Sequence, residues 1–183
     1  DFQFSGDYLA YQNYSLDIYA TELYLYNTAT GENLKLTDTP GDGFPENPSI
    51  SHNIIIWQLT NGAQADILMY ASDTHQYTKI TNASRFEADT FPSIYDNNIA
   101  YSYFYYDKVN GTRLYALKLY NITAGVQTTI LESGEPTANS PDLYGNVVVY
   151  SEPDGRLRLH DLRTNDSKTI YESTFLTQPW NLN

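Results

Sequence analysis

Along most of this chain, apolar and polar side chains alternate with a period of two, and nowhere do apolar residues recur at the three-and-four spacing of a helix face. That pattern predicts strands throughout. Four stretches follow one template: Phe2 to Tyr11 (FQFSGDYLAY), Pro48 to Trp57 (PSISHNIIIW), Pro92 to Tyr101 (PSIYDNNIAY) and Pro141 to Tyr150 (PDLYGNVVVY). Each places an apolar residue two positions after its start (Phe4, Ile50, Ile94, Leu143), then a pair of turn formers, then an apolar run closed by an aromatic. The pairs are Gly6-Asp7, His52-Asn53, Asp96-Asn97 and Gly145-Asn146. Gly, Asn and Asp tolerate the positive φ that tight hairpin turns demand, so each stretch reads as two short strands joined by two residues.

A second block follows each hairpin: residues 22–37 (ELYLYNTATGENLKLT), 66–81 (DILMYASDTHQYTKIT), 116–131 (ALKLYNITAGVQTTIL) and 156–171 (RLRLHDLRTNDSKTIY). Each has two alternating runs flanking a turn of Asn, Thr, Asp or Gly, which makes a second hairpin. The repeating unit therefore has four strands, and its aromatic landmarks Tyr11, Trp57, Tyr101 and Tyr150 lie 46, 44 and 49 residues apart. That is the period of a propeller blade, since a lone four-stranded sheet cannot cover both of its own apolar faces and must stack on its neighbours. The expected architecture is all-β: one domain, a β-propeller of four four-stranded antiparallel blades at about 2–43, 44–87, 88–136 and 137–173, with a C-terminal tail at 174–183.

The proline, the Gly/Asn turn, the aromatic-ended strand and the hairpin of the type ELYLYNTATGENLKLT together resemble the TolB-like, or WD40-like, propeller repeat, most closely the variant of archaeal cell-surface proteins. The resemblance spans residues 2–171 and lacks the Ser-Pro-Asp-Gly turn of the bacterial form. It implies the fold more strongly than any activity. Phe2 occupies the place of the repeat proline, whereas Pro179 in the tail lies 38 residues beyond Pro141. Three arrangements fit: a tail that seals a four-bladed ring, a larger ring to which these blades belong, or a tail around Phe175, Leu176, Pro179, Trp180 and Leu182 that adds to a neighbouring molecule.

Composition narrows the chemistry. With 22 acidic and 10 basic residues the net charge is −12, which argues against nucleic-acid partners because phosphate neutralisation needs clustered Lys and Arg. No stretch of about 20 apolar residues suggests membrane insertion. Cysteine is absent, which removes disulfides, thiol catalysis and thiolate metal sites. Eighteen Tyr and seven Phe agree with half-buried pleated surfaces.

Five Asn-X-Ser/Thr sequons, at Asn13, Asn82, Asn110, Asn121 and Asn165, are expected in exposed connections able to carry N-glycans. His52 and His75 read as turn residues and His160 as a strand position, with no second donor at ligand spacing, so no metal site is expected. The acidic groups Asp38, Asp42 and Glu46, and Glu87 with Asp89, fit solvated inter-blade loops better than a Ca²⁺ site or a carboxylate pair for glycoside chemistry. No nucleophile elbow, phosphate loop or zinc motif is present, so neither a catalytic residue nor a cofactor is expected. In the aromatic run 101–106, Tyr103, Tyr105 and Tyr106 are candidates for an exposed binding surface at the end of a strand.

These readings point first to a non-enzymatic extracellular or cell-surface structural protein that self-associates into a filament or surface layer. The second expectation is a secreted module that binds a glycan or protein through one propeller face. A third is a propeller hydrolase or lyase, or the non-catalytic propeller attached to one.

Overall fold

The computed structural model describes residues 1–16, 20–38, 43–136 and 139–172. It contains sixteen strands, and no helix occurs among the described residues. Unit 1 comprises β1 (Phe2–Ser5), β2 (Tyr8–Ser15), β3 (Ala20–Asn27) and β4 (Asn33–Lys35). Unit 2 comprises β5 (Phe44–Ser51), β6 (Ile54–Asn61), β7 (Gln64–Ala71) and β8 (Gln76–Lys79). Unit 3 comprises β9 (Glu87–Tyr95), β10 (Asn98–Asp107), β11 (Thr112–Asn121) and β12 (Val126–Ser133). Unit 4 comprises β13 (Asn139–Tyr144), β14 (Val147–Ser151), β15 (Leu157–Asp161) and β16 (Asp166–Tyr171).

Within each unit, consecutive strands pair antiparallel. A single parallel bridge, Ala65 to Ala88, merges units 2 and 3, so the sheets count four, eight and four strands. Among the described residues no ladder joins unit 4 to unit 1. The tight turns use the expected backbone: Gly6, His52, Asp96 and Gly145 open the first hairpins with φ between 49° and 59°. Gly31, His75, Gly125 and Asn165 hold the matching position of the second hairpins, with φ between 55° and 76°.

Three hydrophobic cores lie between successive units. Ala10, Leu23, Leu25 and Leu36 of unit 1 pack against Ile50, Ile55, Trp57 and Tyr70 of unit 2. Ile56, Ile67 and Met69 of unit 2 meet Ile94, Ile99 and Tyr101 of unit 3. Ala100 and Leu117 of unit 3 meet Leu143, Val148 and Tyr150 of unit 4. Units 2 and 3 are thus covered on both faces, which explains the unbroken apolar run Ile54–Trp57: Ile55 and Trp57 face one neighbour while Ile56 faces the other.

The repeat proline has a definite task. In units 2, 3 and 4 the first strand bulges, so that Asn47-Pro48, Phe91-Pro92 and Ser140-Pro141 oppose the single residues Trp57, Tyr101 and Tyr150. Proline cannot donate to a ladder, and a bulge is where a strand tolerates it. The residue before each proline takes a left-handed conformation, with φ of 50°, 52° and 47°. Unit 1 has Phe2 in place of the proline and pairs it directly with Tyr11, without a bulge.

First strands of adjacent units are bridged by serine hydroxyls. The Ser5 hydroxyl accepts the His52 backbone N–H at 2.7 Å, and that of Ser51 accepts the Asp96 N–H at 3.0 Å. One pleat earlier, Ser49 accepts from Ile94 at 3.3 Å and Ser93 accepts from Leu143 at 3.0 Å, while the Ser93 hydroxyl donates to Asp142 Oδ1 at 3.0 Å. A second clasp recurs within units: Thr37 donates to Glu22 and accepts from the Leu23 N–H, and Thr81 does the same for Asp66 and Ile67. Lys35 and Lys79 complete these clasps by pairing Glu22 at 3.2 Å and Asp66 at 2.8 Å.

Replacing Ser93 by Ala removes both the acceptor for Leu143 and the donor to Asp142 in a buried setting. Urea denaturation should show a loss of about 1–2 kcal/mol, the usual cost of orphaned buried partners.

Candidate functional site in the axial channel

The bulges of units 2, 3 and 4 fall at the same place, and together with the unbulged start of unit 1 they bring equivalent tripeptides together. Residues 1–3, 47–49, 91–93 and 140–142, one set from each unit, line a channel of about 410 Å³ between the first strands. A second recess of about 520 Å³ shares the walls Asp1, Asn47 and Phe91 and adds Gln12, Glu46 and Gln58. Among the described residues no Lys or Arg lines either space. Left-handed Phe91 and Ser140 each cost about 1 kcal/mol, and such strain persists where the surroundings hold it in place.

A polar network holds the wall of the second recess, and through Asn47 and Phe91 it reaches the channel. The buried Gln58 amide donates to Glu46 Oε2 at 2.7 Å and to Thr60 Oγ1 at 2.9 Å, and the Thr60 hydroxyl donates to the same Glu46 oxygen at 2.7 Å. Gln58 Oε1 accepts from Asn47 Nδ2 at 3.1 Å and from the Phe91 N–H at 3.2 Å, tying unit 2 to unit 3. Gln12 donates to the Pro45 carbonyl at 2.7 Å, tying unit 1 to unit 2. The channel thus presents fixed amides, hydroxyls and carboxylates, suited to hydrogen-bonding a neutral or cationic ligand and electrostatically averse to an anionic one.

Farther along β9 lies a group that the pattern of charges misassigned. Glu87 and Asp89 occupy a strand rather than a solvated loop, and Asp89 is only 5% exposed. Asp89 Oδ1 has no hydrogen-bond partner. Burial pushes its carboxyl up to about 6, opposed by the Thr81 hydrogen bond and the Lys118 charge and assisted by Asp66 and Glu87. Burial would also raise Glu87, but the Ser84 N–H and the Tyr103 hydroxyl hold it below its ordinary value. Lys118, its ammonium 3.3 Å from the Tyr103 ring centroid, is pulled down by desolvation. Glu22, at 1% exposure, is a second buried acid that charge counting overlooked. One signal was present for Asp89: it stands two residues before Phe91 in strand register with the aromatic run 101–106.

The other expected sites are scattered. The run 101–106 forms the C-terminal part of β10, which ends at Asp107, with Tyr101 buried and Tyr103, Tyr105 and Tyr106 half-buried. Tyr103 donates to Glu87 at 3.1 Å, and Arg113 stacks over Tyr106. Asn82, Asn110 and Asn165 sit in exposed connections. Asn13 is instead exposed on β2, and Asn121 ends β11 half-buried, its amide bonded to Asn98 and to the Ala124 N–H. His52 and His75 are turn residues, and His160 is a buried strand residue bonded to Ser167. Among the described residues no group of His, Cys, Asp or Glu is arranged to hold a metal. Phe175, Leu176, Pro179, Trp180 and Leu182, with Asp42, lie outside the described residues.

No protein-family model matches this sequence, and no curated protein does. Solved structures do share its fold. An oligogalacturonate lyase in complex with manganese is similar with a TM-score of 0.61 at 11% identity, over 91% of this chain and 50% of the lyase. An acylaminoacyl peptidase in complex with Z-Gly-Gly-Phe-chloromethyl ketone gives 0.67 at 13%, over 94% of this chain and 32% of the peptidase. The β-propeller domain of the Trilobed protease from Pyrococcus furiosus gives 0.64 at 12%, over 94% and 56%, and a putative TolB from Agrobacterium tumefaciens 0.64 at 13%, over 91% and 62%. The fold is of the propeller kind, and TolB-like structures are among its neighbours. The chain spans about half the length of the lyase and a third of the peptidase.

This corrects the first functional expectation. The neighbours include a lyase and peptidases, and nothing in these likenesses or among the described residues supports a structural or filament-forming role. The features that suggested one have a local cause: the repeat comes from blade stacking, and loop asparagines such as Asn165, at φ 60°, come from turn chemistry.

Replacing Asp89 by Asn tests its burial. A carboxyl raised from 3.8 to about 6 binds more protons folded than unfolded, so stability is highest below about pH 4 and falls as pH rises through 6. Asp89→Asn should remove that fall in thermal melts, gaining up to about 3 kcal/mol at pH 7 and nothing at pH 4.

Proposed function

We propose that this chain is the propeller portion of a larger peptide-processing enzyme, four blades of one repeat, and that its axial channel receives an extended peptide without itself carrying the reacting groups. The observation that carries this reading is the convergence of four equivalent first-strand segments on one channel that presents Asn47 and Gln3 amides, adjoins a recess carrying Gln12, and has no basic residue among the described residues that line it. Side-chain amides and backbone groups pair naturally with a peptide backbone. The carboxylates of Glu46 and Asp142 and the net charge of −12 disfavour an acidic oligosaccharide such as the lyase's name implies, and leave the peptidase's class of ligand as the better match. Glu46 and Asp142 are each engaged within a hydrogen-bond network, Glu46 by Gln58 and Thr60 and Asp142 by Ser93. That arrangement supports positioning rather than a paired-carboxylate mechanism, which requires two groups facing one bond.

Titration of the chain with acetyl-Gly-Gly-Phe-amide, followed by amide chemical shifts, should move the signals of Asn47, Gln58 and Phe91 saturably. Gln58→Leu should weaken that response at least fivefold. Saturable binding of trigalacturonate in preference to the peptide, or no response to either, would overturn the reading.

A further inference from the structure

Each unit of the array has two apolar faces, and only the inner ones are covered. Units 2 and 3 meet a neighbour on both sides, whereas unit 1 packs only on unit 2 and unit 4 only on unit 3. Among the described residues no apolar core lies between unit 4 and unit 1.

Matching positions show what the two outer faces lack. Phe4 takes the place of Ile50, Ile94 and Leu143; those three are 7%, 5% and 3% exposed, and Phe4 is 61% exposed. Leu9 and Tyr11 are half-buried, although their counterparts Ile55 and Trp57 in unit 2 are buried. At the other end, Val149 and Leu157 are half-buried where Ala10 and Leu23 are buried, and Ile170 is 46% exposed where Leu36 is 6%. The uncovered residues are therefore apolar at the positions that build the inner cores, which marks an interaction surface.

The two faces are also of opposite kind. Unit 1 leaves open the side that units 2, 3 and 4 turn to the unit before, and unit 4 leaves open the side that units 1, 2 and 3 turn to the unit after. A contact between them repeats an interface that the chain already makes three times. A second copy of the chain carries both sides, so two copies can cover each other's outer faces at once. Such a contact is heterologous and stays finite only if the ring closes. Two copies of four units supply eight, the upper end of the usual propeller range, and a third copy would exceed it.

We infer that two copies of this chain join unit 4 to unit 1 at both seams and close a single ring. The contact is apolar and works against the mutual repulsion of two chains of net charge −12, so salt strengthens it. It holds independently of what the channel binds.

Sedimentation equilibrium of the chain should give the mass of two copies, unchanged across a hundredfold rise in concentration once pairing is complete. The dissociation constant should fall at least threefold between about 50 and about 500 mM NaCl, as screening removes the repulsion. Phe4→Asp and Ile170→Asp, both at exposed positions, should each keep the strand signal in circular dichroism and weaken pairing at least tenfold. Mixed in equal amounts, these two variants should pair again, because one junction then joins an unaltered unit 4 to an unaltered unit 1. Val109→Asp, at a 91% exposed position outside both faces, should pair like the parent. A monomer at every concentration, which would leave the faces to residues 173–183 or to another polypeptide, overturns the inference. So does growth beyond two copies, or a mixture of the two variants that stays monomeric while the parent pairs.

Discussion

The first strands of these units lie side by side without sharing a backbone ladder, and serine hydroxyls bridge the gap. Ser5, Ser49, Ser51 and Ser93 each accept a backbone N–H from the next unit, at positions that repeat along the chain. A serine is short enough to let two strands approach and still satisfy an amide that would otherwise be buried unpaired. Between units 3 and 4 the Ser93 bridge is kept, but Tyr95 stands at the position of Ser5 and Ser51 and packs on Tyr144 with ring centroids 4.7 Å apart. Around these bridges the three apolar cores close, and beside them the proline bulges open the channel.

Much of this was legible in the chain. Period-two alternation, turn pairs able to adopt positive φ and aromatic landmarks located the hairpins, because each depends on local chemistry. The bulge was not legible: the proline marked a position, but only the ladder register shows it opposite Trp57, Tyr101 or Tyr150. The burial of Asp89 and Glu22 also escaped, since whether an acid meets solvent depends on which unit covers it. The run 101–106 does close its strand at Asp107, but Tyr103, Tyr105 and Tyr106 are half-buried there, which the sequence pattern did not show. The chemistry of the channel arises from residues some 45 positions apart, each an ordinary turn or strand residue within its own unit.

Repetition with variation is the route to specificity here. Equivalent clefts carry different side chains: Leu59 and Leu68 stand beside a cavity of about 460 Å³, whereas Tyr103 and Lys118 take the matching places in the next cleft, with Tyr103 bonded to Glu87. The likeness to propellers from a lyase and from peptidases, at identities of 11–14%, is a likeness of scaffold.

Native-state amide hydrogen exchange tests the central claim most directly. If serine bridges hold the units together, the amides of Ile94, Asp96 and Leu143 should exchange as slowly as the ladder amides of β6 and β10, and Ser93→Ala should release Leu143 selectively. Fast exchange at Ile94, Asp96 and Leu143 while the ladders stay protected would contradict the account.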